Sequence, residues 1–158
     1  VSRAGLITFG HSYLRKAVKR RYRLHEPGNR LRYHQGLAAY FGAQPLDPLT
    51  SRLLFEYPRH LVAVGDTAKM RDFLSSLEVF AALYTDHDKY DFLRYWNSVG
   101  HEKDKAGELY RRVLLDPARR SACSPDELLA LQVQVAQFLQ EMGDPNGAVP
   151  LLKGTLGE

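Results

Sequence analysis

The stretch SPDELLALQVQVAQFLQEMGDPNGAVPLL, residues 124–152, decides the fold. Ser124-Pro125-Asp126-Glu127 is a helix N-terminus. The serine hydroxyl takes a free backbone N–H, proline fits the first turn, and the two carboxylates sit at the positive end of the helix dipole. From there Leu128, Leu131, Val135, Leu139 and Met142 form one apolar stripe, with Leu129, Val133 and Ala136 beside it, and Gly143-Asp144 ends the helix. A second helix, from about Asn146 onward, buries Ala148, Leu151 and Leu152. The first helix is apolar on more than one side, so it needs neighbours on both flanks. Stacked helical hairpins supply them, and so does a compact bundle.

Working upstream, the same grammar repeats. Helix, glycine, tight turn, helix recurs at Gly65, Gly100 and Gly143, separated by 35 and 43 residues, the period range of stacked helical hairpins. Asp47-Pro48 reads as the start of a helix carrying Leu53, Leu54, Leu61 and Val64, which Pro58 should kink or split. Short helices follow over about Thr67–Ser75 and Leu77–Tyr84. Further ones span about Asp88–Val99 and Lys105–Leu115, with Tyr84, Tyr90, Phe92, Tyr95 and Trp96 assigned to the core. A helix from about Arg30 to Gly42 buries Leu31, Leu37, Ala38 and Phe41, after Pro27-Gly28-Asn29 ends the helix before it. That earlier helix, His11–Leu24, has Leu14, Ala17, Val18 and Tyr22 on one face and Arg15, Lys16, Lys19, Arg20 and Arg23 on the other. Only Ala4–Phe9, β-branched, aromatic and closed by Gly10, reads as a strand, one side of a hairpin. The expected fold class is all-α: antiparallel helical hairpins, which the spacing alone allows either to stack into an α-solenoid or to close into a compact bundle, with a remnant β-hairpin strand at the N-terminus.

The charge is uneven. Residues 1–32 hold nine Lys/Arg against one Glu, a net +8, whereas residues 33–158 are mildly acidic at −4. The single cysteine, Cys123, excludes an internal disulfide framework and any zinc site built on several cysteines, which points to a reducing, intracellular, cytoplasmic setting. Apolar runs such as Phe80–Tyr84 fall far short of the ~20 residues of a membrane span. The chain starts within the strand and stops within a helical pattern, and so reads as a segment of a longer protein.

Three stretches carry resemblances. Ala136, Phe138, Leu139, Gly143-Asp144, Ala148 and Leu151-Leu152 resemble the opening of a tetratricopeptide-repeat (TPR) array, from which Gly147 and Pro150 depart. Leu6–Val18 with Arg20-Arg21-Tyr22 is similar to the end of the winged-helix domain in signal-transduction NTPases of the NACHT and NB-ARC type. In that superfamily a histidine reaches the phosphates of bound ADP. His11 matches that position, and Ser12 stands where an aspartate is usual. The middle, with Tyr33–Phe41, Glu56–Leu61, Gly65-Asp66 and Lys89–Trp96, resembles the helical linker of the nephrocystin-3-like family, in which an NTPase module leads through it into tetratricopeptide repeats. The resemblance implies that the hairpins lead into a tetratricopeptide-type α-solenoid, in three regions: 1–26, the end of a winged helix; 27–122, a helical linker; 123–158, the start of a repeat array. It further implies a ciliary scaffold whose repeats hold partner proteins.

Catalysis finds no support in the residues. There is no Gly-x-x-x-x-Gly-Lys-Ser/Thr phosphate loop and no histidine pair at zinc spacing, and Ser121, Cys123 and Ser124 have no neighbouring histidine. His87 between Asp86 and Asp88 reads as a helix cap rather than a metal site. No cofactor is expected in this segment, and His11 would sense nucleotide only beside an NTPase core. The basic face Arg15, Lys16, Lys19, Arg20 and Arg23 is solvated or docks an acidic partner. The alternative is a winged-helix-derived nucleic-acid-binding module that uses helix 11–24 on phosphates. The preferred reading is a non-catalytic interaction segment.

Overall fold

The computed structural model describes residues 11–118 and 124–153, and these are all-helical. The expected strand Ala4–Phe9 lies outside the described residues, as do Ser121 and Cys123. In order, the elements are α1 Ser12–Arg21, α2 Pro27–Gly42, α3 Ser51–Val64, α4 Thr67–Leu74, α5 Leu77–Leu83 and α6 Lys89–Ser98. A 3-10 turn, Gly100–Lys105, precedes α7 Ala106–Leu114, α8 Pro125–Glu141 and α9 Pro145–Lys153. They fall into two compact units, Val1–Met70 and Arg71–Glu158.

In the first unit, α2 and α3 form an antiparallel hairpin: Phe41 near the end of α2 lies under Arg52 at the start of α3, while His34, about two turns earlier, meets His60 near the end of α3. Four sequence expectations change here. Pro27 is the first residue of α2 rather than part of a terminator, because its missing N–H costs nothing at that position. The next helix starts not at Asp47-Pro48, which lie in the preceding loop, but at Ser51, where the Thr50 hydroxyl accepts the Leu53 N–H at 3.2 Å. Pro58 does not split α3, which runs unbroken with the proline buried inside it. Leu31 and Leu37 are exposed, and only Ala38 and Phe41 of the expected α2 core are buried, because α3 covers one side of α2. Gly65, with φ 73°, ends α3, and the Asp66 carboxylate then accepts the Lys69 N–H at 3.0 Å to open α4.

The second unit is built on aromatic rings. Phe138 of α8 lies 5.2–6.0 Å, centroid to centroid, from Phe80, Tyr84, Phe92, Trp96 and Tyr110, which come from α5, the turn after it, α6 and α7. Offset and edge-to-face contacts of this kind add to area burial by roughly 0.5–1.5 kcal/mol each. The Tyr110 hydroxyl is wholly buried and donates to the Leu74 carbonyl at 2.6 Å, which anchors α7 to the end of α4. Tyr90, expected in the core, is 73% exposed, with the Lys89 ammonium 5.5 Å from its ring centre. Asp88 occupies the position before α6 but does not cap it with its side chain; the Thr85 hydroxyl instead accepts the Asp88 N–H.

The capping box at Ser124 forms as read: the serine accepts the Glu127 N–H, and Glu127 accepts the Ser124 N–H at 2.8 Å. Val135, Ala136, Phe138 and Leu139 of α8 and Ala148 and Leu151 of α9 are buried. Gly143, with φ 83°, makes the turn between these helices, a conformation few side chains adopt. Gly147, a departure from the repeat pattern, has a structural reason. A Cβ on Gly107 of α7 would lie 2.9 Å from the Gly147 Cα, so α7 and α9 cross backbone to backbone at two glycines. Pro150 sits inside α9 without ending it.

Candidate interaction site

The five basic residues singled out from the sequence are all exposed, four on α1 and Arg23 just past its end. No residue of α1 is buried; of the apolar set Leu14, Ala17, Val18 and Tyr22, only Val18 is partly covered. Lys19, Arg20 and Arg21 fill the last turn of α1, where cations complement the negative end of the helix dipole. His11 is exposed at the residue before α1, and its side chain makes no capping bond.

The end of α1 creates the one structured feature of this face. The Leu24 N–H reaches back to the Lys19 carbonyl at 2.8 Å, and Arg23 adopts φ 48°, a left-handed conformation that costs a non-glycine residue about 1–2 kcal/mol. This turn folds Leu24 and His25 back toward α2. Between them lies a cavity of about 670 Å³ walled by Tyr22, Tyr33 and Leu37 and rimmed by Lys19, His25 and Arg30. The Tyr22 and Tyr33 rings meet edge to face at 5.8 Å. Lys19 is thus drawn into a pocket, whereas Arg15, Lys16, Arg20 and Arg23 do not line it.

At its α3 side the cavity touches His34, whose Nδ1 is 2.9 Å from Nδ1 of buried His60. His60 Nε2 lies 3.2 Å from a Glu56 carboxylate oxygen, which can only accept. His60 therefore carries its proton on Nε2 and accepts through Nδ1, and His34 donates from Nδ1. Burial is the main cause that holds both rings below the usual histidine range. The Arg59 and Arg30 guanidiniums add to it at His34; at His60 the Glu56 carboxylate opposes it. Sequence reading missed this pair, because 26 residues separate its members and nothing local marks them.

In the second unit, Glu141 at the end of α8 accepts from the Lys89 ammonium at 3.4 Å. Burial, with the Glu141 carboxylate beside it, pushes the Tyr84 hydroxyl up to about 12. These contacts bind α8 to the start of α6. Among the described residues, no group of three or more His, Cys, Asp or Glu side chains is placed to hold a metal ion. No described helix is long and apolar enough to cross a membrane.

No family model matches the chain, and no solved structure does. A TPR repeat-containing protein of Dictyostelium discoideum is 32% identical over 96 residues, which is 61% of this chain and 6% of that relative. The chain thus spans a small fraction of the length of the curated relative it matches. The described residues form antiparallel helical hairpins, an all-α arrangement consistent with a TPR-like α-solenoid and with the similarity to a TPR repeat-containing protein.

Proposed function

We propose that the chain is a non-catalytic protein–protein interaction segment that links a nucleotide-switch module to a tetratricopeptide array. In this reading, residues 1–26 end a winged-helix domain, 27–122 form a helical linker and 123–158 open the array. Helix packing passes the state of the switch to the surface that holds partners. The observation that carries the proposal is the α8–α9 hairpin seated on α7 through Gly107 and Gly147, since a hairpin docked on the preceding helix is the unit that repeat arrays reiterate. Similarity to a TPR repeat-containing protein supports it. His11 is solvent-exposed and so open to a nucleotide held by an NTPase core. Arg15, Lys16, Lys19, Arg20 and Arg23 offer a cationic face to an acidic protein. The segment needs no cofactor of its own, and we place it in the cytoplasm, at the cilium.

The test deletes residues Tyr33–Glu158 from the intact protein and compares the co-purified proteins quantitatively with those of the undeleted form. Loss of a defined set of partners, with nucleotide retention unchanged, is the expected result. An unaltered partner set contradicts the proposal. Replacing His11 by alanine in the intact protein should lower nucleotide retention, and unchanged retention removes the sensing role.

A further inference from the structure

We infer that the cavity between the end of α1 and α2 receives a peptide segment of another protein that carries carboxylates around one bulky apolar side chain. The inference deepens the scaffold reading, by giving the first unit its own partner chemistry, and it rests on that reading.

Shape comes first. About 670 Å³ accommodates one large side chain and its flanking backbone, and is mid-range for a ligand cleft. The walls are pre-set by the Tyr22–Tyr33 ring contact and by the left-handed turn at Arg23, so little ordering is left to the moment of binding. Apolar wall and cationic rim then specify two different parts of one ligand. Tyr22, Tyr33 and Leu37 remain 51%, 39% and 41% exposed, and an apolar side chain from a partner would take that surface out of water. Lys19, His25 and Arg30 stand at the rim, and among the described residues no carboxylate lines the cavity. Glu26, next to His25 in sequence, accepts from the Asn29 amide at 2.6 Å and lies 3.8 Å from His25. The surrounding charge is complementary to an acidic partner as well: residues 11–32 hold eight Lys/Arg against one Glu, a net +7, enough to steer its approach and fix its register. A nucleic acid would use the cations and stack on Tyr22 and Tyr33 but would leave the aliphatic surface of Leu24 and Leu37 in water, which a bulky apolar side chain covers.

The probe is a fluorescein-labelled peptide with a central Leu-Trp pair flanked by two glutamates on each side, titrated with the full chain and read by anisotropy. Controls replace the anchor pair by alanine or the glutamates by lysine. Saturable binding that both controls weaken at least tenfold is expected, with affinity falling as salt rises from 0.05 to 0.3 M, roughly the range over which surface charges become screened. Lys19→Glu with Arg30→Glu should lower affinity more than tenfold, while Arg94→Glu, on α6, leaves it unchanged. Leu37→Lys, at an exposed wall position, should give the same loss and serves if the charge variant is unstable. Equal binding of the alanine-anchor peptide, undiminished binding by both variants, or displacement by duplex DNA at equal charge concentration each overturns the inference. Failure here with partner loss on deletion of Tyr33–Glu158 intact would leave a scaffold that works through other surfaces. Failure of both removes the scaffold reading too.

Discussion

Replacing Gly107 by valine tests how the hairpins are held together. A Cβ there would stand 2.9 Å from the Gly147 Cα, closer than carbon atoms approach, and its neighbour is backbone, which cannot swing aside as a side-chain tip can. Helix α7 or α9 must move outward by several tenths of an ångström, and the two γ-carbons of valine enlarge that displacement. Overpacking of this kind costs about 1–3 kcal/mol, and the better helix propensity of valine over glycine returns only a few tenths. The net expectation is a loss of about 2 kcal/mol, or roughly 10 °C in Tm for a unit of this size. Trp96, the sole tryptophan, is buried in the same unit beside Tyr110, so its fluorescence during urea unfolding reports this unit alone. Gly36→Ala is the matched control. Nothing lies within 4 Å of its added Cβ in mid-α2, so it should stabilise the first unit by about 0.5–1 kcal/mol. A Gly107→Val protein with an unshifted Trp96 unfolding midpoint refutes the glycine crossing.

Tyr110→Phe leaves the buried Leu74 carbonyl without its 2.6 Å donor and should cost about 1–3 kcal/mol by the same urea assay, with a null effect arguing against that anchor. Ser124→Ala removes a capping box whose loss costs about 1 kcal/mol, visible as reduced hydrogen-exchange protection over the first turn of α8. For the His34–His60 pair the pH dependence has a definite sign. Both folded-state values lie below 6.5, so the unfolded chain binds more protons once pH falls below about 6.5. Stability of the α2–α3 hairpin should hold above that pH and decline as it drops through the folded-state values. Protection of these helices, corrected for intrinsic exchange, should fall between pH 7.5 and 5.5, and His60→Gln should flatten the response; a rise on acidification would contradict the lowered folded-state values.

The elements that sequence reveals are those with local causes. Ser124 caps because its hydroxyl meets a donor three residues away, and Gly65, Gly100 and Gly143 each adopt positive φ where the repeating pattern places a helix stop. Local rules mislead where a neighbour outbids them. Asp47-Pro48 has the residues of a helix start, yet Thr50 makes the bond to Leu53. Leu31 and Leu37 have core spacing, yet with α3 covering one side of α2 they stay exposed. The candidate site was half legible. The basic stripe on α1 is plain from spacing, but the pocket depends on a left-handed Arg23 that folds His25 toward Arg30 and Tyr33. No periodicity encodes that turn. The His34–His60 bond and the Gly107–Gly147 crossing join positions 26 and 40 residues apart, and only the folded chain brings them together.

The central claim is that these helices hold another protein. Cross-linking mass spectrometry on the intact protein in cell extract addresses it directly, with Lys89, Lys103 and Lys153 of the second unit and Lys16 of the first as the reporting positions. The account predicts reproducible cross-links from these lysines to the same partner proteins, diminished by Gly107→Val for the second unit and by Lys19→Glu with Arg30→Glu for the first. Cross-links confined to the protein itself, or partner cross-links indifferent to both sets of substitutions, contradict it.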